Sequence, residues 1–167
     1  MNGNYFKFYF RFIFENQEYI NNSLEKIIKN LINRDLDEYV SRIFKDVCIE
    51  FLKLYSNKII NSHIVEIGSW WSKYQGTKIE QEEIDIVGKD SLNRYIFSDV
   101  IDERPSSGII ALEKLITKAS TFHFDNKLYL LFSLSDFDED LIKISEIEDN
   151  VILINITQMA RIWGMCQ

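Results

Sequence analysis

The sequence has little of what usually builds a metal or cofactor site. Its two cysteines, Cys48 and Cys166, stand far apart. There is no Cys-x-x-Cys and no clustered Cys/His set, so no zinc site is expected. Cys48 falls in an apolar helical stretch and reads as a buried thiol, and Cys166 as a tail thiol, both in a reducing compartment. The two histidines, His63 and His123, are isolated and read as structural. No Gly-rich phosphate loop, internal repeat or low-complexity linker is present. Ser98, Ser106 and Ser107 have no histidine near them in sequence, which removes the case for a serine nucleophile. No apolar run approaches the ~20 residues that span a bilayer. The aromatic stretch Tyr5–Phe14 is interrupted by Lys7 and Arg11, and no small-residue cleavage site follows, so a secretory signal is not expected. Basic charge is also short. The net charge of −7 argues against a purely electrostatic nucleic-acid binder, although a local basic patch remains compatible with it. These absences suggest a cytoplasmic protein with no membrane association.

What is present is a globular chain. Its 167 residues, 46% apolar and 27% charged, suffice for one domain with its own core. Ile20, Leu24, Ile27, Ile28 and Leu31 recur at helical spacing, with Asn22 or Ser23 as cap. Asp35 is expected to open a second helix, running to Tyr55, with Val40, Ile43, Phe44, Val47, Phe51 and Leu54 as its apolar stripe. The period then changes. Ile64–Ile67, Glu83–Val87 and Arg94–Val100 read as strands, separated by Gly76 and by a Gly88-Lys89-Asp90-Ser91 turn. The sole proline, Pro105, and Ser106-Ser107-Gly108 start a helix whose inner stripe is Ile109, Leu112, Leu115 and Ile116. Leu128–Phe132 and Val151–Ile156 read as strands buried on both faces, as in a mixed or parallel sheet. A short acidic helix, Phe137–Ile144, lies between them, and Thr157 begins a last helical turn. The run Asp136–Asp140 lacks the glycine and terminal glutamate of a calcium loop. It reads as a helix N-terminus complementing the macrodipole.

Two neighbouring stretches carry the chemistry: Ile67-Gly68-Ser69-Trp70-Trp71 and Glu82-Glu83-Ile84-Asp85-Ile86-Val87. On a regular strand Ile84 and Ile86 share one face, and Glu83, Asp85 and Val87 the other. A carboxylate on one strand followed by another at Ser98-Asp99 is how metal-dependent nucleases present oxygen ligands to a divalent cation. Such a site needs a lysine near the second acid, where this chain has Ile101. The bland alternative is that Glu83 and Asp85 are solvated residues that discourage pairing with another chain. Trp70 and Trp71 are either core or domain-contact residues or platforms for stacking on nucleic-acid bases.

The order of these residues resembles the C-terminal domain of archaeal-type AAA ATPases, domain of unknown function 234. That family reads Phe-Arg-Phe near its start, then a helix containing Phe-Glu, Gly-Arg-Trp-Trp, Glu-Ile-Asp-Ile-Val-Ala and Gly-Glu-Cys-Lys. This chain has Phe10-Arg11-Phe12, Phe44-Lys45-Asp46-Val47-Cys48, Gly68-Ser69-Trp70-Trp71, Glu83-Ile84-Asp85-Ile86-Val87-Gly88 and Phe97-Ser98-Asp99-Val100-Ile101. The Trp-Trp followed by Glu-Ile-Asp is the most specific part. The resemblance implies a restriction-endonuclease-like fold of the PD-(D/E)XK group. That fold is a three-layer α/β/α domain with a mixed central sheet of about five strands and extra N-terminal helices. The expected division is a helical extension over 1–34 and the endonuclease-like domain over 35–167. It also implies an upstream P-loop ATPase domain and winged helix, so the chain reads as an excised piece or a shortened paralogue.

The departures weaken the chemistry. The helix glutamate is replaced by Lys45, the second acid is Asp99, and the lysine position is Ile101. A remnant site would comprise Asp85 and Asp99 as ligands for Mg²⁺ or Mn²⁺, with Lys45 as a relocated cation. Loss of one electrostatic group of this kind costs roughly 100–1000-fold in rate. The expected function is therefore a catalytically degenerate module of an ATPase, regulatory or binding DNA or a partner, with Trp70 and Trp71 as contacts. The alternatives are an active metal-dependent nuclease and a structural oligomerisation domain. Oligomerisation would run through Tyr5–Phe14, which is expected to be an ordered helix with aromatic surface to spare.

Overall fold

In a computed structural model, the structure describes residue 14 and residues 25–73, 81–101 and 108–164, with backbone alone at 25–38, 73 and 81. The expected Tyr5–Phe14 helix lies outside these residues, except for Phe14, which is exposed. The caps at Asn22 and Ser23, the Pro105–Ser107 helix start and Cys166 also lie outside them. The chain forms two compact units, Met1–Asp46 and Val47–Gln167.

Helix α1 runs unbroken over Glu25–Ile60, where two helices separated near Asp35 were expected. No glycine or proline occurs in this stretch. The Asn33-Arg34-Asp35 step costs only tenths of a kcal/mol per residue in helix propensity, roughly up to 0.7, which is too little to break a helix. Within the second unit its buried stripe is Cys48, Phe51, Leu52, Ser56 and Ile60, while Leu54 is 70% exposed. Phe44 and Phe51 of the expected stripe are buried, but the stripe is turned from the expected one towards Cys48 and Leu52. Asn61, at φ 52°, ends the helix in the left-handed region that asparagine tolerates.

Five strands follow: β1 (Ile64–Lys73), β2 (Gln81–Asp90), β3 (Tyr95–Ile101), β4 (Lys127–Ser133) and β5 (Val151–Asn155). They form one sheet in the order β1-β2-β3-β4-β5. The first three pair antiparallel and the last two join in parallel. This is the mixed sheet that the unbroken apolar runs of β4 and β5 imply. Helices α2 (Gly108–Ser120), α3 (Glu139–Ile147) and α4 (Ile156–Gly164) complete the described elements. The Asp138 side chain caps α3 by accepting from the Leu141 N–H at 2.8 Å, and Glu139 and Asp140 fill its first turn. The acidic run thus serves the helix terminus.

One core cluster joins Ile84, Phe97, Ile101, Tyr129 and Leu131 of the sheet to Leu112, Leu115 and Ala119 of α2 and Leu141 of α3. In α2 the inner stripe ends on Ala119, and Ile116, expected inside, is exposed. On the alternate positions, Ile86, Ile96, Leu130 and Phe132 are fully buried on the opposite face. Outside the α2 cluster, the buried helix residues include Cys48, Phe51, Leu52 and Ile60 of α1 and Met159 of α4. Helices therefore belong to both faces of the sheet.

The β2–β3 turn is set by Asp90, at the end of β2. Gly88 and Lys89, expected in the turn, are still strand residues. The Asp90 carboxylate is fully buried and all its acceptor sites are used. Oδ1 accepts from the Leu92 N–H at 3.0 Å and the Arg94 N–H at 2.8 Å. Oδ2 accepts from the Ser62 hydroxyl and from Arg94 Nε, both at 2.7 Å. Arg94 also donates to the Ile60 carbonyl at 2.6 Å, so the hairpin is fastened to the end of α1. Asn93, at φ 60°, makes the turn tight enough for this clamp.

Candidate functional site

The hairpin held by Asp90 carries both candidate acids. Its ladder runs from Lys89↔Tyr95 to Ile86↔Ser98, so Asp85 and Asp99 are the next opposed pair. There the side chains take over from the backbone. The Asp85 N–H donates to Asp99 Oδ1 at 3.0 Å, and the Val100 N–H donates to Asp85 Oδ2 at 2.9 Å. The two carboxylates form a reciprocal clasp where the strands part.

A β-bulge produces this geometry. Along β1 the register passes from Gly68 to Trp70 in two steps, while along β2 it passes from Val87 to Ile84 in three. The extra residue falls at Asp85 and Ile86. Strict alternation would set Ile84 opposite Val87. Instead Ile84 and Val87 belong to the same core cluster, which corrects the face assignment read from the sequence. Bulges re-aim side chains and recur beside active sites. Here the bulge turns Asp85 towards Val100 and Asp99.

One cation at the site comes from α2. Lys118, in the last turn of that helix, donates from Nζ to Asp99 Oδ2 at 2.8 Å, and both side chains are largely buried. The sequence reading missed it. Its signal was faint: Lys118 borders the buried stripe, beside Ala119 and three residues after Leu115. Lys45, the cation proposed from sequence, lies half-buried on α1 in the first compact unit. Ile101, at the position where a lysine was expected, is 8% exposed and belongs to the core cluster that includes Leu112 and Leu115. That position belongs to the core. Glu83 is exposed.

At least three of the four carboxylate oxygens of Asp85 and Asp99 already accept hydrogen bonds, one of them from an ammonium. Among the described residues no three His, Cys, Asp or Glu side chains converge as a metal-ligand set. Mg²⁺ demands near-octahedral oxygen coordination, and these residues, arranged as they are, do not fit it.

Four further residues bear on the candidate site: Cys48, Ser98, Trp70 and Trp71. Burial, and then the Asp85 charge, push the Cys48 thiol of α1 well above its ordinary range. Ser98, beside Asp99, is fully buried, and its hydroxyl has no hydrogen-bond partner among the described residues. The tryptophans divide. Trp70 meets the Phe122 ring edge-on at 5.1 Å and packs against the core, whereas Trp71 is 64% exposed on edge strand β1.

Fold and site together define an α/β protein with a five-stranded mixed sheet and an acid pair at the parting of its β2–β3 hairpin. The chain belongs to the DUF234 family, described as archaea bacterial proteins of unknown function, whose family model matches residues 9–101. No curated protein matches it in sequence. Among solved structures it shares its fold with protein VC1899 from Vibrio cholerae. That match has a TM-score of 0.51 at 13% identity and covers 85% of this chain and 35% of the other. A repair endonuclease from Pyrococcus abyssi aligns with a TM-score of 0.36 at 12% identity, over 61% of this chain and 42% of its own. This chain thus spans less than half of either. No helix among the described residues is long and apolar enough to cross a membrane.

Proposed function

We propose that this chain is a catalytically silent, endonuclease-like module that works by binding a partner, an ATPase domain in the full-length protein. The observation that carries this reading is the state of the acid pair. Asp85 and Asp99 serve as a structural clasp, closed by Lys118, while the lysine position of the expected motif is a core isoleucine. The helix order, the mixed sheet and the Trp-Trp…Glu-Ile-Asp resemblance support descent from a PD-(D/E)XK scaffold, and a scaffold alone confers no activity. Trp71, exposed on an edge strand, is the proposed anchor, since aromatic side chains dominate binding hot spots. The net charge of −7 favours a protein partner over DNA.

The test is incubation of supercoiled plasmid and single-stranded DNA with the chain and Mg²⁺ or Mn²⁺. No cleavage is expected. Metal-dependent cleavage that disappears in Asp85→Ala would overturn the reading.

A second reading has one observation in its favour. An ammonium 2.8 Å from Asp99 stands where a relocated catalytic lysine would stand. On that reading Asp85 and Asp99 are ligands for Mg²⁺ or Mn²⁺, and Lys118, or Lys45 as first inferred, supplies the cation. Cleavage that requires Lys118 or Lys45 as well as Asp85 would establish it.

A further inference from the structure

We propose that Lys118 is a built-in counter-ion that occupies the charge position a divalent cation would take between Asp85 and Asp99, and so keeps the ion out. This rests on the silent-module reading and gives it a physical cause.

Two opposed carboxylates at the end of a ladder repel each other and must be neutralised. A divalent ion is one solution. This chain has another, which includes an ammonium on Asp99 Oδ2 and two backbone N–H groups, those of Asp85 and Val100, on one oxygen of each acid. The ammonium is tethered. Lys118 is fixed in the last turn of α2, whose neighbours Leu115 and Ala119 are buried. An incoming ion must therefore displace an intramolecular ligand at high effective concentration. It must also shed its own tightly held water, which Mg²⁺ does reluctantly. The bulge strengthens the lock. It sets the Asp85 N–H on Asp99, so Asp99 cannot turn both oxygens outward without giving up that bond.

The experiment is Mn²⁺ titration followed by electron paramagnetic resonance, on the wild-type chain and on Lys118→Met and Lys118→Gln. Both replacements keep much of the lysine stem, and circular dichroism reports which of them folds. Wild type is expected to leave Mn²⁺ free, and the variants to bind it at least tenfold more tightly. Adding Asp99→Asn to either variant is expected to abolish that gain. A third measurement needs no variant. The Lys118 ammonium resonance of wild type is expected to be protected from exchange and unmoved by millimolar Mg²⁺.

Wild type binding Mn²⁺ as tightly as the variants would overturn the lock. So would folded variants that gain no affinity, or an ammonium resonance that shifts with Mg²⁺. In each of these cases the silent-module reading stands if DNA remains intact. Mn²⁺-dependent cleavage by wild type would overturn both.

Discussion

Replacing Asp90 tests whether the hairpin that carries the acid pair depends on its clamp. Asp90→Ala removes four accepted hydrogen bonds. It leaves the Leu92 and Arg94 N–H groups and the Ser62 hydroxyl without that acceptor. Arg94 keeps the Ile60 carbonyl and is half-buried, so solvent recovers part of its loss. Breaking a buried pair by deleting one partner costs about 3–5 kcal/mol, and this range is expected for Asp90→Ala. Asp90→Asn keeps the shape but turns an amide N–H towards donors, with an expected cost of about 2–3 kcal/mol. Burial alone would raise the Asp90 carboxyl. The Ser62 and Arg94 hydrogen bonds and the Arg94 charge outweigh it and hold the group below the usual range. A depressed folded-state value means that the contribution is fully present above the unfolded value of about 3.9. It fades as pH falls through the folded value. The gap between wild type and Asp90→Asn should therefore be constant from neutral pH down to about 5 and shrink below about 4. Urea unfolding followed by tryptophan fluorescence reads it, with an unchanged m-value. A gap under about 0.5 kcal/mol at pH 7, or one that does not shrink in acid, would refute the reasoning.

Ile101→Lys, which restores the motif, is expected to destabilise by about 2–4 kcal/mol, because it forces an ammonium into the α2 cluster, and to restore no cleavage; thermal melting and a plasmid assay check both. Trp70→Ala should cost about 2–4 kcal/mol through lost contact with Phe122 and the core. Trp71→Ala should cost under about 0.5 kcal/mol yet weaken binding to the proposed ATPase-domain partner, measured by calorimetry. Cys48 should resist iodoacetamide in the native chain and react once urea unfolds it, since burial and the Asp85 charge disfavour its thiolate. Alkylation of the native chain at the rate of a free thiol would contradict its placement.

The strands were legible because apolar runs and turn residues mark them, and β4 and β5 fall where Leu128–Phe132 and Val151–Ile156 were read. Helix α1 was misdivided because Asp35 resembles a cap, and one polar step cannot interrupt a helix that contains no proline or glycine. The acid pair was found from residue types alone, but its arrangement was not. The bulge at Asp85–Ile86 depends on pairing with β1, and pairing is a long-range property that leaves no mark within Glu83–Val87. Lys118 was missed for a related reason. It lies nineteen residues beyond Asp99, on a helix whose placement only the core decides. Ile101 drew attention in the sequence as an apolar residue where the resemblance implies a lysine, and the structure shows that it belongs to the core cluster with Leu112 and Leu115.

The most direct test of the silent acid pair is anomalous diffraction from crystals soaked in Mn²⁺. The expected map shows no anomalous peak beside Asp85 and Asp99 and the Lys118 ammonium still on Asp99. A Mn²⁺ peak bridging the two carboxylates, with Lys118 swung away, would contradict it.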